Sequence, residues 1–142
     1  MPTVAAELEV VVARAVIQRE GRTLLVRRAA RDSLGGFWEL PGGKVDCGEL
    51  AEDAVLRELA EETELVAAGA PSLSFEQRMT SPSGRRVLER VYSVRVRGVP
   101  SLSAEHDGWI WQSPDENTPG PLTSSAAHVL AASGYPAMRT PT

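Results

Sequence analysis

Residues 49–63 read Glu-Leu-Ala-Glu-Asp-Ala-Val-Leu-Arg-Glu-Leu-Ala-Glu-Glu-Thr, one helix of about four turns whose apolar and acidic faces overlap. On a wheel of about 100° per residue with Val55 at zero, Ala51 falls near 320° and Leu59 near 40°. Those three mark the side that must be buried. Glu58 lands at roughly 300° and Glu62 at roughly 340°, on or inside that stripe, with Glu61 flanking them at roughly 240°. A helix built only for solubility would place its carboxylates opposite the leucine. Here Glu58, Glu61 and Glu62 stand at i, i+3 and i+4, close enough to share one site.

Carboxylates gathered beside a core repel one another and lose hydration, and one of them must protonate unless a cation compensates. Mg²⁺ suits the task, because it takes oxygen ligands and is typically held by one or two carboxylates together with water and phosphate oxygens. The plainer reading, a solvated acidic helix face, stands beside this one until the preceding loop is considered. The loop before the helix, Pro41-Gly42-Gly43-Lys44-Val45-Asp46-Cys47-Gly48, adds glycines that let backbone groups turn toward an ion or a phosphate. It is not a P-loop. Gly43 and Gly48 have the right separation, but Glu49-Leu50 follows where Lys and Ser or Thr are required. Loop and helix together predict a cation–diphosphate site, with Gly42 and Gly43 against the substrate.

Composition sets the frame. The 142 residues fit one domain, 1–142, with 136–142 as a frayed tail. With 15 basic and 19 acidic side chains the net charge is −4, which gives no non-specific affinity for duplex nucleic acid. The longest apolar run near the N-terminus is broken at Arg14, and no basic segment followed by an apolar one opens the sequence. Neither a membrane span nor a secretory signal is expected. Cys47 has no partner for an internal disulfide, so a reducing, cytoplasmic location is predicted. A thiol nucleophile is disfavoured, since no partnered histidine lies near.

Along the chain, 8–17 and 23–28 read as strands joined at Glu20-Gly21, followed by a polar loop at 31–36 and an extended piece at 38–40. Residues 72–80 and 86–97 form a second hairpin around Ser81-Pro82-Ser83-Gly84, and 109–112 a further strand. A second helix spans 123–133, capped by Thr123 or Ser124 and stopped by Gly134. Mixed strands and helices predict a sheet covered by helices.

The 23 residues from Gly43 to Leu65 resemble the signature of the Nudix hydrolase family. Gly43, Glu49, Arg57, Glu58, Leu59, Glu61, Glu62 and Leu65 keep its spacing, and Glu64 stands where the pattern has glycine. The lead-in Trp38-Glu39-Leu40-Pro41-Gly42 and the segment from Glu105-His106 to Trp111 are also similar to the family's. Glycine at position 64 would ease a left-handed helix exit; glutamate there costs about 1 kcal/mol, or the helix ends differently. No carboxylate of the signature is lost.

The resemblance implies an α/β/α sandwich with a mixed sheet and hydrolysis of a nucleoside diphosphate linked to another group. It makes Glu58 and Glu62 metal ligands, with Glu61 joining and the carbonyl of Gly43 as a backbone ligand, for Mg²⁺ or a substituting Mn²⁺. Arg57 would orient the glutamates by ion pairing. Glu49 either joins that network or is a helix N-terminal acid meeting the dipole. The proton of the attacking water would go to Glu61, with Glu105 from a later loop as its rival. Arg27 or Arg28 could hold a phosphate, and Trp38, Phe37, Trp109 or Trp111 could stack on a base; a solvated strand end and core packing are the competing roles.

His106 and His128 lack ligand spacing to each other, which argues against zinc, and His128 reads as structural. A nucleoside triphosphate or modified nucleotide is the expected substrate. ADP-ribose, a dinucleoside polyphosphate and a non-cleaving nucleotide sensor are the alternatives, and the resemblance allows a homodimer.

Overall fold

The computed structural model describes residues 9–30 and 34–138, with side chains through Ser133. Leu8 of the first expected strand, the start of the 31–36 loop and residues 139–142 of the expected tail lie outside the described residues. The elements are β1 (Val10–Val16), β2 (Gln18–Arg19), β3 (Arg22–Arg28), β4 (Trp38–Glu39), β5 (Gly42–Lys44), α1 (Ala51–Thr63), β6 (Val66–Ala67), β7 (Ser72–Thr80), β8 (Arg86–Ser93), β9 (Val96–Arg97), β10 (His106–Gln112) and α2 (Ser124–Met138).

One sheet runs β5-β1-β8-β7, a second runs β10-β3-β2 with β4 beside β3, and β6 pairs β9. Strands β1 and β8 are parallel, Val10 opposite Val87 through Val16 opposite Ser93, and the other ladders are antiparallel. The mixed sheet is therefore observed. Two apolar clusters account for its layers. Ala13, Ala15, Ile17, Leu24 and Tyr92 pack with Ala54, Val55 and Leu59 of α1. Val16, Leu25, Trp38, Leu40 and Val91 pack with Ala126, Val129 and Leu130 of α2. Alternation along β1 sends odd residues to α1 and even ones to the α2 side, so a strand covered on both faces reads as a nearly continuous apolar run. This is an α/β/α sandwich.

Several boundaries move. Helix α1 starts at Ala51, because Leu50 is extended (φ −78°, ψ 145°) and acts as N-cap without a side-chain bond. The expected strand at 86–97 divides into β8 and β9, and β10 begins at His106 instead of Trp109. Helix α2 runs through Gly134 to Met138. At its start the Thr123 carbonyl accepts from the Ala127 amide at 3.0 Å, while the Thr123 hydroxyl is buried without a hydrogen-bond partner among the described residues, so it is no side-chain cap. Glu64 takes the left-handed exit conformation (φ 61°, ψ 11°), its amide donating to the Ala60 carbonyl at 3.0 Å. The chain ends the helix as glycine would, with glutamate carrying the strain.

Candidate active site

The parts of the site meet where β5 turns into the loop before α1. Gly42 lies at φ 151°, and a Cβ there would collide with the Ala13 carbonyl and the Arg14 backbone, so only glycine lets β5 seat against β1. At Gly43 the obstruction is a carboxylate: a Cβ would sit 2.5 Å from Glu58 Cδ and 2.6 Å from its Oε2. The bare backbone of Gly43 thus leaves room for the Glu58 carboxylate beside it. Glu62, one turn further along α1, is 3% exposed and accepts from the Gly42 amide at 3.1 Å. Burial pushes the Glu62 carboxyl up to about 9. The Gly42 amide and Arg14 pull it back, while Glu58 and Glu39 push it further. Such a group invites a cation.

Arg57 organises the outer side of α1. Its Nε and Nη2 donate to the two oxygens of Glu49 at 2.9 and 3.0 Å, a bidentate pair. Its Nη1 reaches Glu58 at 3.2 Å and Glu61 at 3.3 Å, and Nη2 reaches the Lys44 carbonyl at 3.1 Å. The Arg57 bonds first, and the Asp46 amide at 2.9 Å second, hold the Glu49 carboxyl well down, at about 2. Glu49 therefore belongs to the arginine network that ties loop to helix. Glu61 is turned outward, its side chain 58% exposed, with Arg57 as partner.

A cleft of about 710 Å³ opens over these groups, lined by Gly42, Gly43, Lys44, Glu58, Glu62 and Glu105 among others. Its floor is a charged network that the sequence reading did not single out. Glu39, 2% exposed, receives Arg28 at 2.9 Å and His106 Nε2 at 2.8 Å, with Arg14 at 3.4 Å. Arg14 also donates to Glu89 at 3.2 Å and to the Leu40 carbonyl at 3.1 Å. Burial opposes the charge of Glu39, yet Arg14, the His106 bond and Arg28 together hold its carboxyl below the usual range. One signal was available. Arg14 sits inside the apolar run 10–17 and Glu39 between Trp38 and Leu40, where an unpaired charge would be prohibitive once buried.

The expected residues divide accordingly. Gly42, Gly43, Glu58, Glu62 and Glu105 meet at the cleft, and Arg57 and Glu49 brace it from behind. Arg27 does not line it: alternation along β3 turns Arg27 outward to Asp107 at 2.6 Å, and Arg28 faces the cleft instead. Trp38 is 5% exposed in the α2-side core, with Arg27 over its ring at 5.4 Å, so it is placed to pack and not to stack on a base. His128 packs on Phe75 with ring centroids 4.4 Å apart.

The donor set fits a hard divalent cation. Glu58 and Glu62 offer carboxylate oxygens, Gly43 leaves space beside them, and Glu62 is buried without a cationic side chain bonded to it among the described residues.

A sequence profile of the NUDIX domain matches residues 8–132. The chain is a Nudix hydrolase. It is similar to the CTP pyrophosphohydrolase of Escherichia coli (strain K12), 33% identical over 121 residues, 85% of this chain and 88% of that one. A putative 8-oxo-dGTP diphosphatase 2 of Mycobacterium tuberculosis (strain ATCC 25618 / H37Rv) is 37% identical over 107 residues, 72% of each chain. Among solved structures, the MutT NUDIX hydrolase of Burkholderia pseudomallei superposes with a TM-score of 0.78 at 32% identity, covering 87% of this chain and 96% of that one. Like its relatives, this Nudix enzyme belongs to the hydrolases of nucleotide pyrophosphate bonds. Among its described residues no helix is long and apolar enough to cross a membrane.

Proposed function

We propose that the chain is a Mg²⁺-dependent pyrophosphohydrolase acting on a nucleoside triphosphate or a modified nucleotide. The observation that carries this is the placement of Glu58 against Gly43 and of Glu62 against Gly42 at the edge of a cleft of about 710 Å³. That volume suits a small-molecule ligand, and the names of the two relatives given above are those of nucleoside triphosphate hydrolases.

In this reading Glu58, Glu62 and the Gly43 carbonyl hold the cation, and Arg57 keeps Glu58 in place. The chemistry such a cation would supply is neutralisation of phosphate charge and a lowered pKa for the attacking water. Arg28 and Lys44, both lining the cleft, meet the phosphates. Water adds to phosphorus as the bridging P–O bond breaks, and the proton passes to a carboxylate within reach. Position favours Glu105 for that role, because it lines the cleft while Glu61 is turned out to Arg57.

A hydrolysis panel of nucleoside triphosphates, oxidised nucleotides, ADP-ribose and dinucleoside polyphosphates, with products identified, tests the reading. Mg²⁺-dependent release of a nucleoside monophosphate and pyrophosphate is expected. Tight nucleotide binding without turnover would make the protein a sensor, and turnover confined to ADP-ribose would replace the substrate.

A further inference from the structure

His106 is a buried titratable group at the cleft that the proposed reaction leaves unused. Its Nε2 lies 2.8 Å from Glu39 Oε2, both side chains being 3% exposed. Glu39, ringed by Arg14 and Arg28, is an ionised carboxylate and can only accept, so Nε2 carries the proton. In the neutral ring the lone pair then sits on Nδ1, and Nδ1 is buried with no hydrogen-bond partner among the described residues. An imidazole that donates one N–H to a carboxylate and leaves its other nitrogen bare has the arrangement of metal-bound histidines.

Two oxygens complete a possible set. One from Glu62, one from Glu105 and a ring nitrogen of His106 all lie within 4.8 Å of one another. Donors around a small divalent ion at about 2.1 Å are at most about 4.2 Å apart, so the cluster has to tighten slightly. Glu105 is exposed, which leaves its side chain room to rotate inward. The strand is irregular here. His106 pairs with Arg28 and Gly108 with Arg27, so Asp107 is extra and the ladder shifts at the site. Such bulges re-aim side chains.

We propose that His106 Nδ1 is a nitrogen ligand to a divalent cation held with Glu62 and Glu105, which gives this site a bias toward Mn²⁺ over Mg²⁺. Imidazole suits transition metals, whereas Mg²⁺ favours all-oxygen surroundings. Glu105 has two oxygens, one for the cation and one for the proton of the attacking water. The inference rests on the reading of the cleft as a cation site.

The test is electron spin echo envelope modulation on the full chain loaded with Mn²⁺. Wild type shows modulation from a directly bound ¹⁴N, which changes to the ¹⁵N pattern when histidine alone is labelled. His106→Gln keeps an N–H for Glu39 but offers no lone-pair nitrogen. In that variant the modulation disappears, and the preference for Mn²⁺ over Mg²⁺ falls about tenfold. His128→Gln, away from the cleft, retains the modulation and keeps the test decisive if the first variant fails to fold. Bound Mn²⁺ without nitrogen modulation in wild type, or modulation that survives His106→Gln, overturns the inference and leaves the cation site standing. Absence of Mn²⁺ uptake, with nucleotide present or not, overturns the proposed function itself.

Discussion

At the scale of single residues, Glu62 carries the greatest electrostatic load. Its carboxyl is pushed to about 9 by burial, above the ordinary value of 4.5. A raised carboxyl contributes stability that is fully present below pH 4.5 and is lost as pH rises toward 9. In cation-free protein, Glu62→Gln should therefore melt higher than wild type at pH 8, with the gap closing near pH 4.5, as thermal melts across that range would show. The same variant should lose at least about 100-fold in turnover, because a ligand charge is gone. For the proton acceptor the comparison is between two glutamines. Glu105→Gln should cut kcat by about 100-fold, and Glu61→Gln by markedly less. Equal losses in steady-state assays would return Glu61 to that role. Replacing Arg57 by lysine removes the bidentate hold on Glu49, and activity should drop about tenfold with the fold intact by circular dichroism.

At the scale of elements, α1 and its loop were legible because the motif is local: the glutamates lie one turn apart, and the glycines precede them in sequence. Glu64 shows how far such reading goes. It keeps the left-handed conformation (φ 61°) that the missing glycine would adopt without strain, and Glu64→Gly should raise stability by about 1 kcal/mol, a shift in Tm of roughly 2–4 °C at this size. A lower Tm would mean that the glutamate is compensated elsewhere. The floor of the cleft was less legible. Arg14, Glu39, Glu89 and His106 come from β1, β4, β8 and β10, and only strand pairing brings them together. Nothing local in the sequence ties these four side chains to one another. Arg27 and Arg28 were similarly undivided until the alternation of β3, fixed by its pairing with β4 and β10, sent one outward and the other into the cleft. Strand ends and the division of 86–97 depended in the same way on partners far along the chain.

At the scale of the molecule, the proposed cation site joins three parts: the β5 loop, α1 and the segment leading into β10. A ligand that binds only the folded state stabilises it, by about 2.7 kcal/mol at one hundred times its dissociation constant. Saturating Mg²⁺ or Mn²⁺ should accordingly raise Tm by several degrees, and the gain should vanish in Glu62→Gln. Uptake should also release a proton near neutral pH, since Glu62 must give up the one it holds below about 9. Calorimetric titration of the full chain with Mg²⁺ at pH 7, repeated in buffers of different ionisation enthalpy, measures cation and proton together. Wild type should bind the ion and release about one proton, and Glu62→Gln should do neither at comparable concentrations. No uptake by wild type, even in the presence of a non-hydrolysable nucleotide, would contradict the claim that these carboxylates are gathered to hold a metal.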